Sequence, residues 1–208
     1  VSDILAEDGE RTVAEIADAG GRAIFVKADV SDAGEAEQLV AAAVQHFGGL
    51  DILINNAGIG GGQQRLHEIE PADFDRVVNV NLRGTFLCSK YALPVFLERG
   101  DGRIVNTAST YGLIAAPKAA AYCATKAAII NLTRQLAVDY GPDGIRVNAI
   151  CPGYIDTGLG RRGPTLSADE FAAATAIRET AAAKQPLGRQ GRPAEVAEVA
   201  LFLASDAA

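Results

Sequence analysis

Apolar positions along the chain follow two periods, and the two periods alternate. Short apolar runs predict strands at 23–28, 50–54, 103–108 and 145–150. Apolar residues spaced three and four apart predict the helices between and after them, at 7–19, 31–47, 71–97, 119–140, 168–183 and 193–204. Strands that alternate with helices are typical of repeated β-α-β units. The pattern therefore predicts an α/β fold, a doubly wound parallel sheet with helices on both faces.

Polar residues at the predicted helix ends have the composition of helix caps. Ser31 is expected to cap the helix that follows it, and Ser167 with Glu170 form the pattern of a capping box. Gly20-Gly21 is expected to end the first helix. No linker or low-complexity stretch interrupts the pattern, so residues 1–208 are predicted to form a single domain.

The net charge and the cysteines indicate which partners and which cellular location to expect. The net charge is -7 and the pI about 4.9, which argues against nucleic acid or an anionic membrane as the main partner. No run of about 18 apolar residues predicts a membrane span, and the first residues do not resemble a signal peptide. Cys88, Cys123 and Cys151 are far apart and are expected to be free thiols in the cytoplasm. His46 and His67 are isolated, so no metal site is predicted.

The residues that follow the predicted strands are small, polar or rich in glycine. They are Asp29-Val30, N-N-A-G at 55–58, Ser109, and C-P-G-Y-I-D-T at 151–157. In an open parallel sheet, ligands bind beyond the carboxyl ends of the strands, so these segments predict a nucleotide-binding crevice. The glycines at 58 and 60–62 do not form G-x-G-x-x-G. They are interpreted as a flexible loop beside the site rather than a phosphate-binding loop.

Tyr122 and Lys126 are four residues apart on a predicted helix, so their side chains are neighbours on one face. The ammonium group of Lys126 is expected to lower the pKa of the Tyr122 phenol, which is otherwise about 10. Ser109, at the tip of the preceding strand, can bind the same substrate oxygen. This set predicts proton transfer during carbonyl–alcohol interconversion, with hydride supplied by a cofactor. The alternative is a chance pair on an alanine-rich helix.

Together these segments resemble the short-chain dehydrogenase/reductase family, in the branch that carries N-N-A-G. The resemblance runs almost end to end, and its carriers are Asp29-Val30, N-N-A-G at 55–58, V-N-L-R-G at 80–84, Ser109, Y-C-A-T-K at 122–126 and Pro152-Gly153. The chain is similar to members that act on 3-oxoacyl thioesters and on glucose or other polyols. The resemblance implies a Rossmann-like domain and an NAD(P)-dependent oxidoreductase that interconverts a secondary alcohol and a ketone.

The resemblance also implies roles for single residues. Tyr122 corresponds to the acid/base, and Lys126 to the residue that lowers its pKa and binds the nicotinamide ribose. Ser109 corresponds to the hydroxyl that orients the substrate, and Asn81 to the residue that holds a water relaying protons towards Lys126. The implied cofactor contacts are Asp29 and Val30 at the adenine, Asn55, Ala57 and Gly58 along the cofactor and sheet, and Pro152, Gly153, Ile155 and Thr157 at the nicotinamide.

Asp3 bears on the choice of cofactor. By resemblance it lies at the end of the family's second strand, where a carboxylate binds the ribose 2′-hydroxyl and repels a 2′-phosphate. NAD is therefore predicted over NADP. The family's first strand, its glycine-rich phosphate loop and its last strand are not found in the 208 residues. Because a sheet without its first strand would expose a central edge, we expect these residues to be part of a longer chain.

The expected partner is a small alcohol or ketone, bound under a lid that begins near Tyr154. Arg161 and Arg162 in this lid could meet an anionic substrate, but a solvated loop is the preferred interpretation. By resemblance, the helices at 71–97 and 119–140 form subunit contacts in a homotetramer or homodimer. Two alternatives stay open: a sugar-nucleotide epimerase or dehydratase, and a non-catalytic nucleotide sensor or scaffold on the same fold.

Overall fold

The computed structural model describes residues 1–157 and 185–208, and between them residues 172, 175–177, 179, 180, 182 and 183. The strands are β1 Ser2–Asp3, β2 Val26–Lys27, β3 Ile52–Asn55, β4 Gly102–Thr107 and β5 Ile145–Ile150. The α-helices named here are α1 Ala6–Asp18, α2 Ala33–Phe47, α3 Pro71–Val78, α4 Gly84–Arg99, α5 Ala120–Tyr140 and α6 Pro193–Ala204. Short 3-10 turns lie at Leu66–Glu68, Thr110–Gly112 and Gly141–Asp143.

Most predicted elements are present, and β5 and α6 have the predicted bounds. The predicted strand at 23–28 is shorter, because only Val26–Lys27 pair with β1. The described residues from 172 to 182 are helical, in agreement with the helix predicted at 168–183. The capping box predicted at Ser167 and Glu170 lies outside the described residues.

The predicted cap of α2 is wrong by one residue. Asp32, not Ser31, is the N-cap, and its Oδ1 accepts a hydrogen bond of 2.9 Å from the Glu35 backbone N–H. Ser31 is already engaged, since its N–H and its hydroxyl both donate to Asp29 Oδ1, at 2.9 and 2.7 Å. The aspartate side chain therefore fixes the turn before the helix, and the next residue caps it.

The helix predicted at 71–97 is present in three consecutive parts. Between α3 and α4, residues Asn79–Arg83 form a π-helical turn. Such a turn inserts one extra residue into the helix and is frequent at functional sites. Here it contains Asn81, one of the predicted site residues, whose carbonyl accepts a 2.8 Å hydrogen bond from the Thr85 hydroxyl.

The described strands form two parallel sheets. β1 pairs with β2, placing Asp3 opposite Lys27, and the second sheet has the order β3-β4-β5. In its register Asn55 lies opposite Asn106, and Asn106 opposite Ala149. Both sheets are parallel, in agreement with the predicted α/β fold.

Helices cover both faces of the larger sheet, as expected of a doubly wound fold. Ile104, Ile145 and Val147 are buried on one face against a core that α2, α4 and α5 complete with Val40, Ala92, Leu93, Phe96 and Leu136. Neighbouring residues on a strand point to opposite faces. Arg103 and Arg146 therefore point to the other face of the sheet, which α6 covers. Arg146 donates to carbonyl groups at the end of α6, and Arg103 pairs with Asp206 just beyond this helix.

A buried chain of polar side chains connects the sheet to the two helices beneath it. Asn55 donates to Ser89 on α4 and to Asn106 on β4, at 3.1 and 2.8 Å. Asn106 in turn donates to the Thr133 hydroxyl on α5, at 2.9 Å. Because a buried polar group without a partner costs about 1–3 kcal/mol, this chain favours one arrangement of β3, β4, α4 and α5. That arrangement sets where the strand ends lie.

Candidate active site

The carboxyl ends of β4 and β5 are held side by side beyond the last paired residues. The backbone N–H of Thr110 donates to the carbonyl of Pro152, at 3.0 Å. Ser109, which lies between β4 and the turn at Thr110–Gly112, is buried, and its Oγ accepts from the Tyr111 N–H at 3.1 Å. The loops predicted to form a crevice therefore meet at one edge of the sheet.

Tyr122 and Lys126 share one face of the first turns of α5. Lys126 Nζ lies 5.7 Å from the centre of the Tyr122 ring and donates to the Thr107 carbonyl, at 2.7 Å. Lys126 is 4% exposed, and burial lowers its pKa to about 8. The N-terminus of a helix also carries partial positive charge. The ammonium of Lys126 and the N-terminus of α5 therefore both place positive charge near the Tyr122 ring.

The turn after Ser109 packs directly on α5. A methyl group at Gly112 would lie 2.7 Å from the carbonyl carbon and oxygen of Lys126, so only glycine allows this close approach. The contact places Ser109 beside the face that carries Tyr122 and Lys126. Lys126 reaches the end of β4 through Thr107, two residues before Ser109.

Asn81 completes the group from the helical side. It is fully buried, its Oδ1 accepts from the Ile59 N–H at 2.8 Å, and its Nδ2 donates to the Ile59 carbonyl and to Thr125 Oγ1, at 3.0 and 3.2 Å. A methyl group at Gly58 would lie 3.3 Å from Asn81 Oδ1 and 3.5 Å from Lys126 Nζ. The loop after β3 is therefore held between Asn81 and Lys126. Sequence reasoning missed Ile59, because it contributes only its backbone N–H and carbonyl, which leave no motif.

The glycine-rich loop that follows lies beside the site, as predicted. Gly60, Gly61 and Gly62 line a small cavity together with Ala119 and Tyr122. Gly61 has a φ of +74°, a backbone conformation that favours glycine. Tyr122 is one of the residues that line this cavity, so the loop lies next to the predicted site.

The residues predicted at the adenine end lie at the ends of β1 and β2. Asp3 is the last residue of β1, and its Oδ1 accepts from the Leu5 N–H at 2.9 Å. Asp29 follows β2 and is exposed, and its N–H donates to Glu35 at 2.7 Å. Val30 packs against α4, because a methyl group at Gly84 would lie 2.6 Å from it. Asn55 lies in the buried polar chain, which agrees with a sheet-stabilising position.

The residues predicted at the nicotinamide are held by a distant segment. Gln185 accepts from the Tyr154 N–H at 3.3 Å, and its Oε1 would lie 2.5 Å from a methyl group at Gly153. Ile155 pairs with Gly191 in an isolated bridge. Gly191 and Gln185 were not predicted, since neither belongs to a sequence motif. Together they hold the loop that begins at Pro152 across the end of β5.

Metal binding and membrane insertion were also considered for the described residues. In the described part of the chain, no three His, Cys, Asp or Glu side chains cluster closely enough to bind a metal ion. None of the described helices has both the length and the apolar character that a membrane span requires.

Comparison with known proteins agrees with this geometry. The model of a family described as enoyl-(acyl carrier protein) reductase matches residues 1–208. The chain is 44% identical over 204 residues to cis-4-hydroxycyclohexanecarboxylate dehydrogenase of Sinomonas cyclohexanicum, covering 98% of this chain and 78% of that protein. It is 45% identical over 200 residues to 2-(S)-hydroxypropyl-CoM dehydrogenase 3 of Xanthobacter autotrophicus, covering 96% and 76%. The crystal structure of levodione reductase superposes with a TM-score of 0.91 at 36% identity, covering 99% of this chain and 80% of that one.

The fold and the relatives define a nicotinamide-dependent oxidoreductase with a Rossmann-like domain. The chain belongs to the short-chain dehydrogenase/reductase family, as the resemblance predicted. Its relatives are dehydrogenases and reductases that act on CH–OH groups, and it is an oxidoreductase of secondary alcohols and ketones. The relatives reported above support neither the epimerase nor the non-catalytic alternative. Which cofactor it prefers, and the roles of single residues, stay predictions.

Proposed function

We propose that the protein oxidises a secondary alcohol to a ketone, or performs the reverse reaction, with Tyr122 as the proton acceptor and donor. The observation that carries the proposal is the position of Lys126. Its Nζ is buried between the Thr107 carbonyl and the Tyr122 ring. A charged ammonium at that position has few roles in packing, but it stabilises the phenolate that proton transfer requires.

The residues of the chain act in the following way during alcohol oxidation. The Ser109 hydroxyl donates a hydrogen bond to the substrate oxygen and holds it at the Tyr122 oxygen. The Tyr122 phenolate accepts the proton of the substrate hydroxyl, and the Lys126 ammonium stabilises that phenolate before transfer. The bound nicotinamide supplies the hydride acceptor, or the hydride donor in reduction. In reduction, Tyr122 returns its proton to the carbonyl oxygen.

The chain's residues fit a dinucleotide. Gly58 has no side chain between Asn81 and Lys126. The backbone of the loop after β3 can therefore be approached closely by a bound cofactor. We place the adenine at Asp29 and Val30, the ribose of the nicotinamide at Lys126, and the nicotinamide along Pro152, Gly153, Ile155 and Thr157. Asn81 is proposed to position the loop of Ala57 and Gly58 and to hold a relay water near Lys126.

Asp3 supports NAD as the preferred cofactor, because its carboxylate at the end of β1 repels a ribose 2′-phosphate. Asp3→Asn removes the charge and keeps the oxygen that accepts from Leu5. We expect this variant to bind NADPH about tenfold more tightly and NADH more weakly. A tenfold change in affinity corresponds to about 1.4 kcal/mol of binding free energy. Titration of full-length protein with NADH and NADPH, followed by nicotinamide fluorescence, measures both dissociation constants.

The control variant is Asp18→Asn, which removes one carboxylate at the far end of α1. It should leave the ratio of the two dissociation constants unchanged, because screening at physiological salt limits the reach of an exposed charge to about 8 Å. If Asp3→Asn leaves the ratio unchanged as well, Asp3 does not select the cofactor.

Subunit assembly and location form part of the same proposal. An open apolar groove lies between α4 and α5, lined by Phe86, Lys90, Leu97, Leu132 and Tyr140. Phe86 and Leu97 are 48% and 43% exposed. Apolar surface of this kind supports a homodimer or homotetramer formed through these two helices. The free thiols of Cys123 and Cys151 agree with a cytoplasmic location.

A further inference from the structure

Two tyrosines outside the proposed proton-transfer group form a pair at the same edge of the sheet. Tyr111 lies two residues after Ser109, and Tyr154 lies two residues after Pro152. Their hydroxyl groups are hydrogen-bonded to each other, and their rings meet edge to face, with centres 6.0 Å apart and planes at 86°. Both side chains are half-buried. The roles proposed above use neither phenol.

The pair is held by backbone contacts from two separate strand ends. The N–H of Tyr111 donates to Ser109 Oγ, at 3.1 Å, which links the position of this phenol to that of the substrate-orienting hydroxyl. On the other side, the carbonyl of Tyr154 accepts from the Gly191 N–H at 2.8 Å, and its N–H donates to Gln185. The backbone hydrogen bonds of Tyr111 and Tyr154 therefore fix the positions of the two residues whose phenols meet.

The chemistry of two paired phenols leaves one donor for a third group. One hydroxyl proton forms the bond between the two oxygens, and the other remains available. Burial, followed by the hydrogen bond with Tyr154, raises the pKa of Tyr111 to about 12. Tyr111 therefore stays protonated near neutral pH.

We propose that Tyr111 and Tyr154 determine substrate specificity by donating a hydrogen bond to a second oxygen of the substrate, remote from the carbon that reacts. The proposal rests on the proposed function. It names the substrate class as alcohols and ketones that carry a further carbonyl, hydroxyl or carboxylate group. The names of two relatives agree with this class, since one denotes a hydroxy carboxylate and the other a dione.

The test compares two ketones that differ only in the second oxygen. We expect the wild-type enzyme to reduce cyclohexane-1,4-dione with a higher kcat/KM than cyclohexanone. Tyr154→Phe and Tyr111→Phe should each lower kcat/KM for the dione by about 5- to 10-fold, the size of a neutral hydrogen bond, and mainly through KM. Each should leave cyclohexanone within about twofold of wild type. The double variant should lose no more than either single variant, because the two phenols act as one donor.

Each other outcome has a separate meaning. Equal losses for the two ketones, or no loss for the dione, overturn the role of the pair and leave the proposed function intact. If the wild-type enzyme reduces neither ketone with NADH, the proposed activity on this class fails. Calorimetric binding of the two ketones to NADH-loaded Tyr122→Phe then decides the role of the pair. Tighter binding of the dione, lost in the added Tyr154→Phe variant, supports it, and equal binding overturns it.

Discussion

Tyr122→Phe should lower kcat by about 10²- to 10⁴-fold and leave NADH binding within about twofold of wild type. The change removes a single oxygen, at the start of α5, that we propose accepts and donates the proton of the reacting group. The ring and its contact with Lys126 remain, so the helix and the cofactor crevice should be retained. Steady-state rates from NADH absorbance, together with an NADH fluorescence titration, measure the two effects separately.

The matched control is Tyr140→Phe, which removes a phenol oxygen from the last residue of the same helix. It should keep wild-type kcat, because Tyr140 packs against the core at the opposite end of α5 from Tyr122. Turnover retained in Tyr122→Phe at the level of this control would show that another group transfers the proton.

Lys126→Met is expected to lower kcat/KM by about 10²- to 10³-fold. Met occupies a similar volume but removes the buried charge that favours the Tyr122 phenolate. Oxidation activity that remains should increase towards high pH, because a phenol without a neighbouring ammonium ionises only near its usual pKa of about 10. A pH profile of kcat/KM for the alcohol, measured in wild type and variant, tests both statements.

The control for this change is Lys90→Met on α4. Lys90 also lies over a tyrosine ring, with its Nζ 5.2 Å from the centre of Tyr91, but it is exposed and lines the groove between α4 and α5. Its loss should leave both the rate and the pH profile unchanged. An unaltered profile in Lys126→Met would mean that the buried ammonium does not act on Tyr122.

The same variant changes how stability depends on pH. Burial lowers the pKa of Lys126 from 10.5 to about 8, so between these values the unfolded chain binds more protons than the folded one. The free energy of unfolding therefore rises with pH across this window. Cys88, whose pKa burial raises from 9.0 to about 11, acts in the opposite direction above pH 9. From pH 8 to 9, urea unfolding should thus show a rise in wild type that Lys126→Met lacks.

The parts of the fold that the sequence predicted are those set by local pattern. The strand Ile145–Ile150 and the helix Pro193–Ala204 have the predicted bounds, because a buried strand and an amphipathic helix with proline at its first position are both visible in consecutive residues. Ser109, Tyr122 and Lys126 were found for a related reason. Their positions follow from where a strand ends and from helical spacing.

The parts that the sequence did not predict depend on contacts between distant residues. The cap of α2 is a local exception, because Asp29 binds Ser31 only two residues away and Asp32 is the cap. The π-helical turn at Asn79–Arg83 contains the Asn81 side chain that binds the backbone of Ile59, 22 residues away. No local pattern carries such information, since a backbone N–H or carbonyl is the same at every position.

The paired phenols and the support of the nicotinamide segment illustrate the same limit. Tyr111 and Tyr154 are 43 residues apart, and Gln185 lies 31 residues beyond the backbone N–H that it binds. Each is an ordinary residue in the sequence and gains a role only when β4 and β5 place their ends side by side. Sequence reasoning therefore found the residues proposed to transfer the proton, Tyr122 and Lys126. The structure was needed to find Tyr111 and Tyr154, which are proposed to determine substrate specificity.

The central claim is that this protein transfers hydride between a nicotinamide and the carbinol carbon of its substrate. The most direct test is to incubate full-length enzyme with NADH that carries deuterium at the reactive position, of either stereochemistry, and with cyclohexane-1,4-dione. Mass spectrometry of the product should find one deuterium on the carbon that bears the new hydroxyl, from one of the two labelled cofactors. NADH that binds and a ketone that returns unreduced, or an alcohol that carries no deuterium from either cofactor, would contradict the account.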